Sequence, residues 1–189
     1  MKRHIHFPLF VLLFVLISCS SGDHSYDATE QGSTESHSAA FETPDEFKKS
    51  LDITLTRYFD LKDALIEEDG QKAARLAQAF QESLEQVKED DLSDEAHSIW
   101  RSNREIMNEE SYRIAGVTEI EEQRKSFNSL SMALIHSLEA FGPLEKAVHR
   151  QSCPMVGDGS ADWLSSSEEI MNPYLSSNML NCGTVVRTY

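Results

Sequence analysis

The sequence has few basic residues and no recognisable catalytic motif. Its 17 Lys and Arg residues stand against 32 Asp and Glu residues, which gives a net charge of −15. Proteins that bind nucleic acid take much of their affinity from basic patches, so this composition argues against that function. The sequence also has no glycine-rich phosphate loop, no histidine pair with zinc-hydrolase spacing and no nucleophile elbow. We therefore expect a protein that is not an enzyme and does not bind nucleic acid.

Long hydrophobic runs are scarce as well, and the clearest lies near the first residue. Residues 7–17 are apolar, follow Lys2 and Arg3, and are too few for a membrane-spanning helix, which takes about 20 residues. The length and the basic start are typical of a secretion signal. The run ends in Leu16-Ile17-Ser18-Cys19, which resembles the lipobox of bacterial lipoproteins. We expect a signal peptide over residues 1–18 and lipid on the sulfur of Cys19.

This lipid would anchor the protein in the cell envelope, facing the periplasm. Residues 19–41 are acidic, rich in Ser, Thr and Asp, and poor in large apolar side chains. Such a segment cannot bury enough apolar surface to fold, so we interpret it as a flexible tether. The remaining residues, 42–189, have a length that suits a single domain.

Four stretches of this domain carry apolar residues at helical spacing. Thr43 and Thr118 are expected to cap the first and fourth helices, with Glu46 and Glu121 completing capping boxes, and Ser93 to cap the third. Short polar turns between helices favour antiparallel neighbours. The sequence thus predicts a mainly all-α fold, an antiparallel four-helix bundle over residues 42–142. The expected stripes run from Phe47 to Leu65, from Ala73 to Val87, from Ala96 through Ile99, Trp100, Ile106 and Met107 toward Gly116, and from Ile120 to Phe141.

The C-terminal tail, residues 143–189, loses this helical spacing. Its residues 184–189 are β-prone, and residues 147–151 are a weaker candidate strand. If the two stretches pair antiparallel as a short β-hairpin, the segment between them is a long irregular loop. Loops of this length are often functional.

The hairpin would bring cysteines and methionines together, because a register with Val186 near His149 places Cys182 opposite Cys153. Thiolates and thioethers are soft ligands that select Cu(I), or a similar ion such as Ag(I), over Zn(II) and Mg(II). The predicted ligands are Cys153, Met155, Met179 and Cys182, with His149 as a weaker fifth candidate. Such a site would buffer the ion or pass it to a partner.

A second interpretation of the same residues needs no metal. If Cys19 carries lipid, Cys153 and Cys182 are the two cysteines that remain, and an exported pair commonly forms a disulfide. Met155 and Met179 would then be packing residues. The domain would be a disulfide-stapled interaction module that docks a partner envelope protein.

Four motifs follow one another in the tail: Cys153-Pro154-Met155, Ala161-Asp162-Trp163-Leu164-Ser165, Glu169-Ile170-Met171-Asn172-Pro173-Tyr174 and Met179-Leu180-Asn181-Cys182-Gly183. Together they resemble an uncharacterised domain family of Bacteroidota envelope proteins, which stands alone or is appended to periplasmic adaptor subunits of heavy-metal efflux pumps. The resemblance implies a helical bundle and a role in handling copper or a related metal. Leu175-Ser176 departs from the Phe-Gly that members often have there. The expected partner is a heavy-metal efflux adaptor or a copper chaperone.

Overall fold

The computed structural model describes residues 39–142, 144–156 and 159–189. The expected signal peptide, the expected lipid site at Cys19 and most of the expected tether therefore lie outside the described residues. The described elements are α1 (Asp45–Ile66), α2 (Gly70–Glu85), α3 (Asp94–Ala115), α4 (Ile120–Phe141), β1 (His149–Val156), β2 (Gly159–Ser165), a short 3₁₀ helix (Ser177–Met179) and β3 (Thr184–Thr188). The expected mainly helical bundle with a small C-terminal β region is confirmed.

Consecutive helices pack as neighbours, and α1 also contacts α4, so the four enclose one apolar core. The Phe47 ring lies 5.1 Å from that of Trp100 and 4.8 Å from that of Phe141, which joins three helices at one point. On α3, the expected core residues Ile99 and Ile106 are 37% and 41% exposed. The prediction was wrong for these two because the buried face of α3 runs through Trp100 and Met107 instead. No helix among the described residues is long and apolar enough to cross a membrane.

The helix starts agree with the sequence analysis at one cap and differ at two. Ser93 caps α3 by accepting a hydrogen bond from the backbone N–H three residues on, at 3.4 Å. The capping box predicted at Thr43 is wrong, because Pro44 takes the N-cap position and leaves the threonine one residue too far out. The box predicted at Thr118 is wrong for the same reason, since Glu119 is the N-cap of α4.

The last two residues of the expected tether contact the helical bundle. The backbone N–H groups of Ala40 and Phe41 donate to the carbonyl oxygen of Ala140, at 3.1 and 3.3 Å. The Phe41 ring also lies 5.9 Å from that of Phe141. Ala40 and Phe41 are thus fixed to the end of α4.

The three strands form one antiparallel sheet in the order β2-β1-β3. The predicted antiparallel pairing of residues 147–151 with residues 184–189 is confirmed as the pairing of β1 with β3, but its register is shifted. His149 pairs with Thr188 rather than with Val186. An irregularity between Arg150 and Gln151 then shifts the pairing of the later residues one position closer to the predicted register.

The expected irregular loop contains β2, which the sequence analysis did not predict. Residues 161–165 of this strand are all buried, since β2 pairs with β1 and also packs against α4. A strand buried on both faces has no polar alternation to identify it. The tail is therefore a small sheet packed on the bundle rather than a hairpin with a long excursion.

Candidate functional site

A disulfide bond joins Cys153 and Cys182. Cys153 is on β1, where it pairs with Ala161 of β2, and it is fully buried. Cys182 lies two residues before β3 and is half-buried. The Cα atoms of the two cysteines are 5.8 Å apart. The bond thus ties the central strand of the sheet to the segment that leads into its edge strand.

The two candidate methionines lie at the surface beside this bond. Met155 is 61% exposed and Met179 is 39% exposed. Both line one surface pocket of about 430 Å³, which we call the Cys/Met pocket; its other lining residues are Ser177, Asn178, Leu180, Asn181 and Cys182. Three of the predicted ligands therefore share one pocket, and the fourth, Cys153, is bonded to a residue in its wall.

His149 does not lie at this pocket. It is four residues before Cys153 on an extended strand, so the two Cα atoms are about 13 Å apart at about 3.3 Å a residue. The imidazole is buried, with Nδ1 3.0 Å from the Thr188 hydroxyl oxygen. We therefore leave His149 out of the ligand set that we propose below.

The segment that carries Met179 and Cys182, which we call the 177–182 loop, is held by short hydrogen bonds. Within it, the Cys182 N–H donates to the Met179 carbonyl oxygen at 3.1 Å. From outside, the Asn172 N–H donates to the Leu180 carbonyl oxygen at 2.7 Å, and the Asn172 side-chain amide donates to the Cys182 carbonyl oxygen at 2.9 Å. The loop is short, and its backbone is fixed from outside at Leu180 and Cys182.

Gly183 makes the turn from this loop into β3. Its φ of 144° lies in the region that side chains disfavour. A Cβ at this position would lie 2.8 Å from the Trp163 ring and 2.9 Å from the Ser152 carbonyl oxygen. Only a glycine lets the loop pass this close to β1 and β2.

Two buried tyrosines join the tail to the bundle. The Tyr174 hydroxyl donates to the Asp162 carbonyl oxygen at 2.8 Å, and the Tyr58 hydroxyl accepts from the Leu164 N–H at 3.1 Å. Both hydroxyls also lie within 3.2 Å of the Ser131 hydroxyl oxygen on α4. Burial raises the pKa of Tyr58 and the pKa of Tyr174 well above their ordinary value, so both stay neutral at physiological pH.

Arg124 of α4 makes a second connection, next to Asn172. Its guanidinium is almost fully buried and donates to the carbonyl oxygens of Pro173 and Leu175, both at 2.9 Å. The same group pairs with Glu121 at 2.7 Å and Glu68 at 3.2 Å. The charge is thus balanced, and the backbone that follows Asn172 is anchored on the bundle.

Sequence reasoning missed the roles of Asn172, Arg124 and Tyr58. One signal was present for Arg124, because it falls at helical spacing between Ile120 and Phe127 on the apolar stripe of α4. A charged residue in such a stripe indicates a buried partner. Asn172 had no comparable signal. Its partners in the 177–182 loop are the backbone carbonyls of Leu180 and Cys182, and the second of these is ten residues away.

The pocket offers different donors in its two redox forms. With the disulfide closed, its soft donors are the two thioethers of Met155 and Met179. Reduction would add the thiol of Cys182, which lines the pocket, and the thiol of Cys153, which is buried outside its lining. Two thiols and two thioethers are a donor set of the kind that suits Cu(I). Across residues 39–142, 144–156 and 159–189, no three side chains from His, Cys, Asp and Glu form a group that could hold a metal ion.

Comparison with known proteins gave one match. No curated protein and no solved structure matches the chain. The matched segment begins within α1, covers the other three helices and stops seven residues before Cys153, so the motifs of the tail lie outside it. Residues 54–146 match the model of an uncharacterised domain family, described as "Protein of unknown function (DUF3347)".

Proposed function

We propose that this chain is an envelope lipoprotein that binds Cu(I), or a similar soft ion such as Ag(I), and passes it on by ligand exchange. The ligands would be the thiolates of Cys153 and Cys182 and the thioethers of Met155 and Met179. The observation that carries the proposal is the Cys/Met pocket, where three of these four residues meet at the surface. Soft donors of this kind select Cu(I) over harder ions.

Metal binding in this proposal belongs to the reduced form. A disulfide offers no thiolate, and the two sulfurs must move from one covalent bond of about 2 Å to separate metal–sulfur bonds of about 2.3 Å each, the value known for zinc thiolates. The partly exposed position of Cys182 favours this opening, since a reducing thiolate must reach a sulfur atom.

The exposure of the two methionines favours transfer over storage. With 61% and 39% of Met155 and Met179 accessible, ligands of another protein can approach the ion before the first set has released it. A heavy-metal efflux adaptor or a copper chaperone would be the receiving partner. The tail's resemblance to the Bacteroidota envelope family supports this role, and lipid on Cys19 would hold the protein at a membrane of the cell envelope.

The test is a Cu(I) titration of the full chain in detergent, against a competing colorimetric chelator. Cys19→Ser is carried throughout, so that only the tail contributes thiols. After reduction we expect one Cu(I) per chain. Replacing Cys153 and Cys182 together by Ser should remove this binding, and Met155→Leu or Met179→Leu should weaken it by about tenfold, as changes around metal sites commonly do.

Met132→Leu is the matched control, because Met132 lies on α4 and packs partly buried against the core of the bundle. It should bind Cu(I) like the parent chain. The proposal is wrong if the reduced chain binds no stoichiometric Cu(I), or if the double cysteine variant binds it equally well.

A second function is favoured by the closed disulfide itself. In this alternative the bond is permanent, and the domain is a stapled helical module that docks a partner envelope protein without metal. Counting free thiols after mild dithiol treatment separates the two. A bond that persists under conditions where the fold is intact supports the stapled module, whereas two free thiols with the fold retained support the metal site.

A further inference from the structure

The 177–182 loop is fixed by two independent attachments that meet at the same residue. The disulfide holds the side chain of Cys182, and the Asn172 amide holds its backbone carbonyl at 2.9 Å. The Asn172 N–H holds the loop again at Leu180, at 2.7 Å. Opening the disulfide removes the first attachment and leaves both hydrogen bonds from Asn172 in place.

Asn172 is itself rigidly held, and none of its supports involves a sulfur atom. Its side chain is fully buried, and its Oδ1 accepts from the Tyr174 N–H at 2.8 Å. The next residue, Pro173, is bound through its carbonyl oxygen by the buried guanidinium of Arg124 at 2.9 Å. Asn172 is therefore anchored to α4 through the next residue, and this support does not depend on the bond between the cysteines.

We infer that Asn172 is the positioning residue that keeps Met179 and Cys182 in place when the disulfide is open. Reduction would then free two thiols without releasing the loop that carries two of the ligands. A site held in its binding geometry avoids the cost of ordering a loop when the ligand arrives. For its metal part, this inference rests on the function proposed above.

The opening step needs a dithiol reductant of the thioredoxin class. One of its thiolates attacks the Cys182 sulfur, which is the more exposed of the pair, and the S–S bond breaks with Cys153 leaving as a thiolate. Its second thiolate then attacks the mixed disulfide and releases Cys182. Two electrons pass to the protein, and the reductant leaves as a disulfide.

The test compares Asn172→Ala and Asn172→Ser with the parent chain, oxidised and reduced, by hydrogen exchange of the full chain without metal. Serine can still accept from the Tyr174 N–H in a weaker turn, but it is too short to replace the amide at Cys182. In the oxidised form, we expect the Cys182 amide to exchange within about threefold of its parent rate, because the disulfide still fixes the loop. In the reduced form, the same amide should exchange at least about tenfold faster in both variants.

Asn103→Ala is the control, since Asn103 is also buried but lies on α3, and its side-chain Nδ2 has no hydrogen-bond partner. It should leave exchange of the 177–182 loop unchanged in both redox forms. Equal acceleration in the oxidised and reduced forms of the Asn172 variants would make Asn172 an ordinary packing residue and overturn the inference, as would no acceleration in either.

A Cu(I) titration of the reduced variants completes the test. We expect Asn172→Ser to bind about tenfold more weakly than the parent, with the four ligands intact. If the parent itself binds no Cu(I), the proposed function fails, while the exchange measurement still decides whether Asn172 holds the loop. If Asn172→Ser binds Cu(I) as tightly as the parent, the positioning role is wrong and the proposed function stands.

Discussion

The helical bundle and the C-terminal tail differ in the interactions that stabilise the interior of each. The bundle buries large apolar side chains from all four helices, such as Leu51, Phe80, Trp100 and Phe127. Among its described residues the tail buries five polar residues beside six apolar ones; the polar residues are His149, Gln151, Asp162, Ser165 and Asn172. Apolar burial is non-directional, whereas hydrogen bonds specify which atoms meet. The bundle can therefore supply bulk stability, while the tail sets the position of individual groups.

The two regions meet where the bundle departs from its own pattern. Arg124 and Ser131 are polar residues on the buried face of α4, and both contact the tail. The Phe127 ring stacks on the Tyr58 ring, with 5.0 Å between their centroids. It also lies 5.8 Å from the ring of Tyr174 in the tail. The tail thus takes its position from α4, so the geometry of the Cys/Met pocket depends on the bundle.

The largest expected effect comes from removing the ring that both regions share. Phe127→Ala should lower the free energy of unfolding by about 4 kcal/mol, as cavities left by buried phenylalanines do. Because Phe127 contacts Tyr174, β1 and β2 should also lose hydrogen-exchange protection relative to the helices. Urea unfolding gives the first quantity and residue-resolved exchange the second.

Phe80→Ala is the matched control, since Phe80 is equally buried but lies on α2. It should cost a similar free energy of unfolding without selective loss of protection in the strands. A selective loss in both variants would mean that the tail responds to global stability rather than to the α4 contact.

Arg124→Met tests the polar half of the same contact. It leaves the carbonyl oxygens of Pro173 and Leu175 without their donor, and unsatisfied buried groups cost about 1–3 kcal/mol each. We expect a loss of about 3 kcal/mol in the free energy of unfolding, measured in urea. Lys125→Met should change it by less than about 0.5 kcal/mol, because the Lys125–Glu122 pair is largely exposed. Equal effects of the two substitutions would contradict an anchoring role for Arg124.

How far the sequence predicted each region follows from this contrast. Helical spacing of apolar residues is a local signal, so the four helices could be placed within a few residues of their observed ends. Two of the errors within the bundle are local competitions at helix ends, where Pro44 and Glu119 each displaced a threonine from the N-cap. The others placed Ile99 and Ile106 in the core. All of these errors left the architecture intact.

The tail was less predictable because its contacts are long-range. Cys153 and Cys182 were expected close together from β-propensity and pairing alone, and the structure brings them together. The β1–β3 register differed from the prediction by two residues at His149, and the irregularity after Arg150 reduces the difference to one. Asn172 and Tyr58 act on atoms far away in the chain, and Tyr58 reads in the sequence as one more member of an apolar stripe.

The smallest expected effect comes from Tyr58→Phe, which leaves the Leu164 N–H without its acceptor and should cost about 1–2 kcal/mol at neutral pH. The pKa of Tyr58 is raised by burial, so its stabilising contribution is complete below the unfolded pKa of about 10 and is lost as pH rises toward the folded value. The parent chain should therefore lose stability above pH ~10 more steeply than Tyr58→Phe, by up to about 1.4 kcal/mol per pH unit. Urea unfolding at several alkaline pH values measures this slope.

Tyr112→Phe is the control and should keep the parent slope, because Tyr112 is 72% exposed. If Tyr58→Phe also keeps that slope, then the Tyr58 hydroxyl is open to solvent and the tail does not seal this face of α4.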